Sequence, residues 1–158
     1  MNHTGIAPMR RLRGDRGQVG GIEVLPFGVL TFVLAMLVIA NVWGVADARL
    51  ATNSAAREAV RAFVESPDES TAYARADAAA RDALRGQGRN ATNSSIGVRY
   101  RGDRGWARCS RVVVTVHHPV PAISVPIIGG FGHACDVISS RSEIIDPFRA
   151  GLEGNAEC

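Results

Sequence analysis

The sequence predicts an α+β protein. It has a long N-terminal transmembrane helix that continues outside the membrane, a second helix and a small antiparallel β-sheet. Three observations carry this reading. Val24 to Ala46 is an apolar run with no charged residue. The chain then keeps helical spacing to about Gly86. From Ser95 onward the apolar residues alternate with polar ones instead.

The apolar run reads "VLPFGVLTFVLAMLVIANVWGVA" and holds 23 residues. At about 1.5 Å per residue it reaches roughly 34 Å, enough for a hydrocarbon core of about 30 Å. A core helix of a soluble domain is rarely apolar on every face for that length. A cleaved secretory signal is the rival, but its apolar region is shorter and ends in a small-residue cleavage site. Trp43 sits near the outer end, where an indole prefers the interface. Pro26 is a first-turn proline or a mild kink. Gly28, Ala35, Ala40 and Gly44 are small enough to let helices approach closely, or are lipid-facing filler.

All 18 basic residues are arginine, and the formal charge is +3. The excess is not evenly spread. Arg10, Arg11, Arg13 and Arg16 face only Asp15 in the first 17 residues, whereas arginines and acids nearly balance from Asp47 onward. A basic surface for nucleic acid therefore does not follow from the high isoelectric point, and no nucleic-acid partner is expected. The four arginines place the N-terminus in the cytoplasm. The protein is expected to be a single-pass cell-membrane protein with its C-terminal domain extracytoplasmic.

"DARLATNSAAREAVRAFVE" follows the run without a break signal. Ala46, Leu50, Asn53, Ala56, Val60, Phe63 and Val64 fall on one helical stripe. One helix is therefore expected from about Ile22 to Glu65. "SPDE" then reads as a capping box, with Ser66 as N-cap, Pro67 at the first helical position and Glu69 three after the cap. Ala72, Tyr73, Ala76, Ala80, Ala83 and Leu84 give the second helix its apolar side, and Gly86 and Gly88 end it. "SIGVRYRG", "RCSRVVVTVHH" and "HACDVISSRSEII" read as antiparallel strands. Pro119, Pro121 and Pro126 make "PVPAISVPIIGG" an edge or a crossing loop. The divisions are thus residues 1–21, a cytoplasmic basic tail; 22–65, the transmembrane and extended helix; 66–148, an extracytoplasmic α+β domain; and 149–158, a flexible tail.

Three cysteines are present. Cys109 opens one predicted strand and Cys135 lies near the start of another, so a Cys109–Cys135 bridge is the expected pairing. Its loop of about 27 residues converts to roughly 3–4 kcal/mol in the chain-entropy model. Cys158 is left to pair between molecules or to replace either partner. The cysteines lack metal-ligand spacing, and His117 and His118 point to opposite faces of a strand, so no metal site is expected. Ser110, Ser124 and the aspartates form no nucleophile elbow or triad, and "GGFG" is not a phosphate loop. No cofactor and no enzymatic activity are expected. Arg99, Arg101, Arg104, Arg108 and Arg111 form a basic stretch that reads as a solvated hairpin or as a contact for an acidic envelope partner.

The stretch "RGDRGQVGGIEVLPF" places glycines and one glutamate, Glu23, just before or within the start of the apolar helix. With "NSAAREAVR", Asn53 to Arg61, it resembles the TadE-like family, pilin-like proteins of the Tad (Flp-type) pilus assembly system. The resemblance covers roughly residues 13–62. It implies a pilin-like fold and a non-enzymatic role as a minor pseudopilin or assembly factor. It also implies, as partners, the membrane, other pilin-like subunits or pilus assembly proteins, and a prepilin peptidase. That enzyme would cut after a glycine at the cytoplasmic face, and Gly17 is the best match. Glu23 would then be the sixth residue of the mature chain, where the family usually has its glutamate at the fifth. Its carboxylate, costly at the hydrocarbon edge, would pair with a new N-terminal ammonium; otherwise it is solvated among headgroups. The alternative to this reading is an unprocessed bitopic binding module of the cell envelope.

Overall fold

The computed structural model describes residues 20–120, 124–125, 129–130 and 135–158, with the backbone alone at 20–23, 124–125 and 129–130. The elements are α1 (Gly20–Val64), α2 (Glu69–Gly86), β1 (Ser95–Arg101), β2 (Arg111–Val120), β3 (Ser124–Val125), β4 (Gly129–Gly130) and β5 (Cys135–Ile144). The predicted α+β class is the observed one. The chain divides into two compact units at Ile39/Ala40. In the first, the described residues belong to α1. The second, Ala40–Cys158, is called the head below.

Pro26 lies inside α1, beyond its first turn. The helix starts earlier than the proline suggests, and the missing N–H of Pro26 removes one bond of its ladder. At the other end, the residues that α1 gives to the core match the expected stripe at Ala56, Val60 and Phe63 and depart from it nearer the apolar run. Ala48, Ala51, Thr52, Ala55, Ala56, Ala59, Val60 and Phe63 are buried, while Leu50 is 69% exposed. Two stripes with helical spacing overlap here. The one that packs is the alanine stripe, because small side chains let neighbouring elements approach closely.

α2 begins two residues later than its sequence signature suggests. Its N-cap is Asp68, whose Oδ1 accepts the Thr71 N–H at 2.8 Å. The hydroxyls of Ser70 and Thr71 also donate to that carboxylate. These bonds hold the Asp68 pKa down to about 2. Ser66, the expected cap, is buried and donates instead to the Ala62 carbonyl at 2.6 Å, so it finishes α1 rather than starting α2. Ala72, Ala76, Ala80 and Leu84 form the buried face of α2.

β1, β2 and β5 make one antiparallel sheet in the order β1-β2-β5, and β3 pairs with β4 in a short ladder between β2 and β5 in the chain. Val112, Val114 and Val116 alternate inward along the central strand. Pro119 is tolerated in that strand because β1 pairs no further than His117, so the proline faces a partner on the β5 side only. The core joins the alanines of α1 and α2 to these valines, Leu84 and Ile145. Phe63 is its aromatic centre, with edge-on contacts to Tyr73, Trp106 and Tyr100 at centroid distances of 5.2, 5.4 and 6.2 Å. Such pairs add about 0.5–1.5 kcal/mol each beyond area burial.

The disulfide corrects the expectation. Cys109 pairs with Cys158, and Cys135 is free and exposed. In an antiparallel ladder the starts of two strands lie at opposite ends. Cys135 is paired with Val120 at the far end of β2, while Cys109 precedes Arg111 at the near end. About nine residues of strand, roughly 30 Å, separate them. The segment 149–158, expected as a flexible tail, is instead tied down. The Arg108 N–H donates to the Glu153 carbonyl at 2.9 Å, and Arg108 Nε to the Arg149 carbonyl at 2.9 Å. Gly154, at φ 103°, lies against the Arg108 backbone. Cys109 itself is held at φ 62°, a left-handed conformation unusual for a side-chain-bearing residue, by its N–H bond to the Ile145 carbonyl and by the bridge.

Candidate functional site

The feature with the clearest physical purpose is the apolar part of α1. From Val24 to Met36 its side chains are exposed, with no covering partner among the described residues. Phe27 is 70% exposed and Trp43 76%, and every large apolar residue from Val24 to Leu34 is open to the surroundings. The one hydroxyl in its first half, on Thr31, donates back to the Phe27 carbonyl at 2.9 Å and so needs no water. A Cβ added at Gly28 or Gly44 would meet nothing within 4 Å, so neither glycine is required by packing among the described residues. The helix is long and apolar enough to span a membrane.

Of the residues singled out in the sequence, Gly17 lies outside the described residues. Glu23 lies in the first turn of α1, and its backbone alone is described. The "NSAAREAVR" patch is placed in full, and much of it is structural. Ala55, Ala56, Ala59 and Val60 are buried in the head core. Asn53 Oδ1 accepts from Arg141 Nη2 and, at 3.3 Å, from the Ser139 hydroxyl, which ties α1 to β5. Arg61 pairs along the helix with Glu65 at 2.9 Å. Among these residues, Arg57, Glu58 and Arg61 face solvent.

Beside the Asn53 bonds, α1 and β5 enclose an open groove of about 620 Å³ that reaches Arg49, Cys135 and Arg141. Arg141 Nε is buried there without a hydrogen-bond partner. Where the apolar run ends, Arg89 donates to the Asp47 carboxylate and, at 3.3 Å, to the Gly44 carbonyl. Arg81 holds the following loop by donating to the Ala91 carbonyl at 2.9 Å, and its own pKa is raised by Asp77.

His117 and His118 do point to opposite faces. His118 is buried with its Nδ1 2.9 Å from the Ser94 hydroxyl, and His117 is half-buried on the other side. Burial, then the charge of Arg89, lowers the His118 pKa. The Tyr100 hydroxyl donates to Glu69 at 2.7 Å, and burial with that carboxylate raises its pKa. No group of three His, Cys, Asp or Glu side chains placed to hold a metal occurs among the described residues. The buried Ser94–His118 pair escapes a sequence reading, because the two residues lie 24 positions apart and only the β1–β2 register joins them.

Fold and site together define a class: an α+β head built around the C-terminal part of a helix that is long and apolar enough to cross a bilayer. No protein-family model matches the chain, and no curated protein or solved structure matches it either.

Proposed function

We propose that this chain is a non-enzymatic, single-pass, pilin-like membrane protein, acting as a minor pseudopilin or assembly factor of a Tad-type pilus or secretion apparatus. The observation that supports this reading is α1. One helix, Gly20–Val64, offers an exposed apolar surface in its first part and supplies core side chains of the head in its last turns. An apolar helix exposed on all sides is stable only in lipid or against other helices, which is how such subunits assemble. The basic tail sets the N-terminus in the cytoplasm and the head outside, a compartment that suits the Cys109–Cys158 bridge. Glu23, at the start of α1, supplies a carboxylate that fixes axial register by pairing with a neighbour's N-terminal ammonium.

Intact-mass measurement on protein extracted from membranes tests the proposal. Loss of residues 1–17 is the expected result. A full-length mass together with a monomeric state in membranes rejects it in favour of an unprocessed bitopic binding module. Glu23→Val in a processed chain is expected to leave membrane insertion intact and to abolish co-purification with partner subunits.

A further inference from the structure

The register of the sheet decides what its outward face carries. Arg101 stands directly opposite Arg111, and Arg99 stands opposite Val113, which is followed across β2 by Ser142. The inward positions are the buried valines Val112, Val114 and Val116. Arg99, Arg101 and Arg111 therefore share the solvent face, and all three are exposed. None of them forms an ion pair among the described residues. Like charges directly across a ladder are destabilising, so this face bears an uncompensated cost.

The nearby acids do not relieve it. Glu143 lies opposite the buried Val112, so it is on the inward side of the sheet. Asp136 is opposite Pro119, about 26 Å along the strand from Arg111. Asp103, in the turn after β1, forms no ion pair among the described residues.

β1 is also an edge. Its backbone pairs with β2 on one side, and no further backbone bond reaches Ser95–Arg101 among the described residues. A free edge offers main-chain donors and acceptors to an added strand, while charges along it exclude strands that lack complementary groups. On the outward face next to this edge, Arg99, Arg101, Val113, Ser140 and Ser142 line a shallow hollow of about 560 Å³.

We infer that the free edge of β1 receives an extended acidic segment of a partner protein, with Asp or Glu at alternate positions set beside Arg99 and Arg101. The spacing is what selects the partner. Arg99 and Arg101 are two residues apart on one face, about 6.6 Å, which is the side-chain repeat of a strand. An acid beside each arginine completes two opposite-charge rows, and the row at Arg101 also neutralises Arg111. A second copy of this chain does not fit, because no two of its acids are spaced two residues apart. Nucleic acid fits poorly. The aromatic residue that borders the hollow, Tyr100, is on the inward parity opposite Val112 with its hydroxyl bonded to Glu69, and the outward positions of the three strands hold no Phe, Tyr or Trp on which bases could stack. The inference holds whether or not residues 1–17 are removed.

The test uses the full-length protein in detergent micelles and a short fluorescent peptide of alternating Glu and Thr. Two controls keep its charge: a peptide with the glutamates grouped together, and inorganic polyphosphate. The alternating peptide is expected to bind at least about tenfold more tightly than the grouped one. Methylating its backbone nitrogens at one parity should abolish binding, and at the other parity should leave it, because only one edge of the added strand faces β1. Arg99→Glu with Arg101→Glu should weaken binding by about tenfold or more, with unchanged near-ultraviolet circular dichroism. If that variant misfolds, the single neutral changes Arg99→Ser and Arg101→Ser give the same reading. Equal binding of the grouped peptide or of polyphosphate, insensitivity to methylation, or no binding at all overturns the inference.

Discussion

The Ser94 hydroxyl meets Nδ1 of His118 at 2.9 Å, and both side chains are buried. Burial and the nearby Arg89 lower the His118 pKa from its ordinary 6.5, so the folded head prefers the neutral ring. The unfolded chain then binds more protons than the folded one once pH falls below about 6.5. Stability contributed by neutral His118 is complete above that value and is lost progressively below it. Melting temperature is expected to be level from pH 8 to about 6.5 and to fall at lower pH, with His118→Gln removing this component. A second acid loss, from Asp68, belongs to a separate window between 3.8 and about 2, where its carboxylate gives up the N-cap bonds.

The Cys109–Cys158 bridge closes a loop with a sequence separation of 49. The chain-entropy model assigns such a loop about 4 kcal/mol, which matters in a core whose buried helix faces are mainly alanine. Cys158→Ser is expected to lower head stability by about that amount, and Cys135→Ser to leave it within about 0.5 kcal/mol. Denaturant titration of the two variants measures both. Maleimide labelling of the native, unreduced protein should modify one thiol, Cys135, and peptide mass mapping should recover Cys109 joined to Cys158.

The two cysteine outcomes show what could be read from the sequence. Alternation at Ile96, Val98 and Tyr100, and at Val112 to Val116, located the strands, because a half-buried strand imposes a period of two on its own residues. The apolar run located the long apolar helix for an equally local reason. The bridge was not local. It depended on which strand ends meet, and antiparallel pairing puts the beginnings of β2 and β5 far apart. The same holds for Leu50. Two helical stripes shared the sequence, and the neighbours, not the periodicity, chose the alanines. Ser66 and Asp68 each suit a cap, and the structure divides them between the end of α1 and the start of α2. Ser94–His118 and the unpaired Arg101–Arg111 row appear only once the register is known.

Arg149 fastens the C-terminal segment to the end of α1. Its Nη1 donates to the Val64 carbonyl at 2.7 Å, and its Nη2 to the Ser66 carbonyl. The guanidinium also lies 5.7 Å from the Trp106 ring centroid. These carbonyls belong to the helix end and the turn after it, where acceptors lack helical partners. Arg149→Ala is expected to cost about 1.5–3 kcal/mol, the range for a charge-assisted hydrogen bond, and Arg149→Lys most of that, since an ammonium cannot span both carbonyls and stack on the indole. Denaturant titration gives the loss, and Trp106 fluorescence should change in both variants.

The span itself is tested by moving charge along α1. Leu34 and Leu50 are both exposed leucines of one helix, at 54% and 69%. If Val24–Ala46 lies in hydrocarbon, the two positions differ in solvent and not in burial. An arginine at the centre of a membrane helix costs about 2.5–3.5 kcal/mol on the insertion scale, and Leu34→Arg with Ile39→Arg about twice that. The double variant is expected to lose most of its carbonate-resistant membrane fraction. Leu50→Arg lies four residues beyond the last apolar position and should keep that fraction, because arginine there sits at or outside the headgroups. Equal retention of the double variant and Leu50→Arg would show that the exposed apolar surface of α1 is covered by protein and not by lipid.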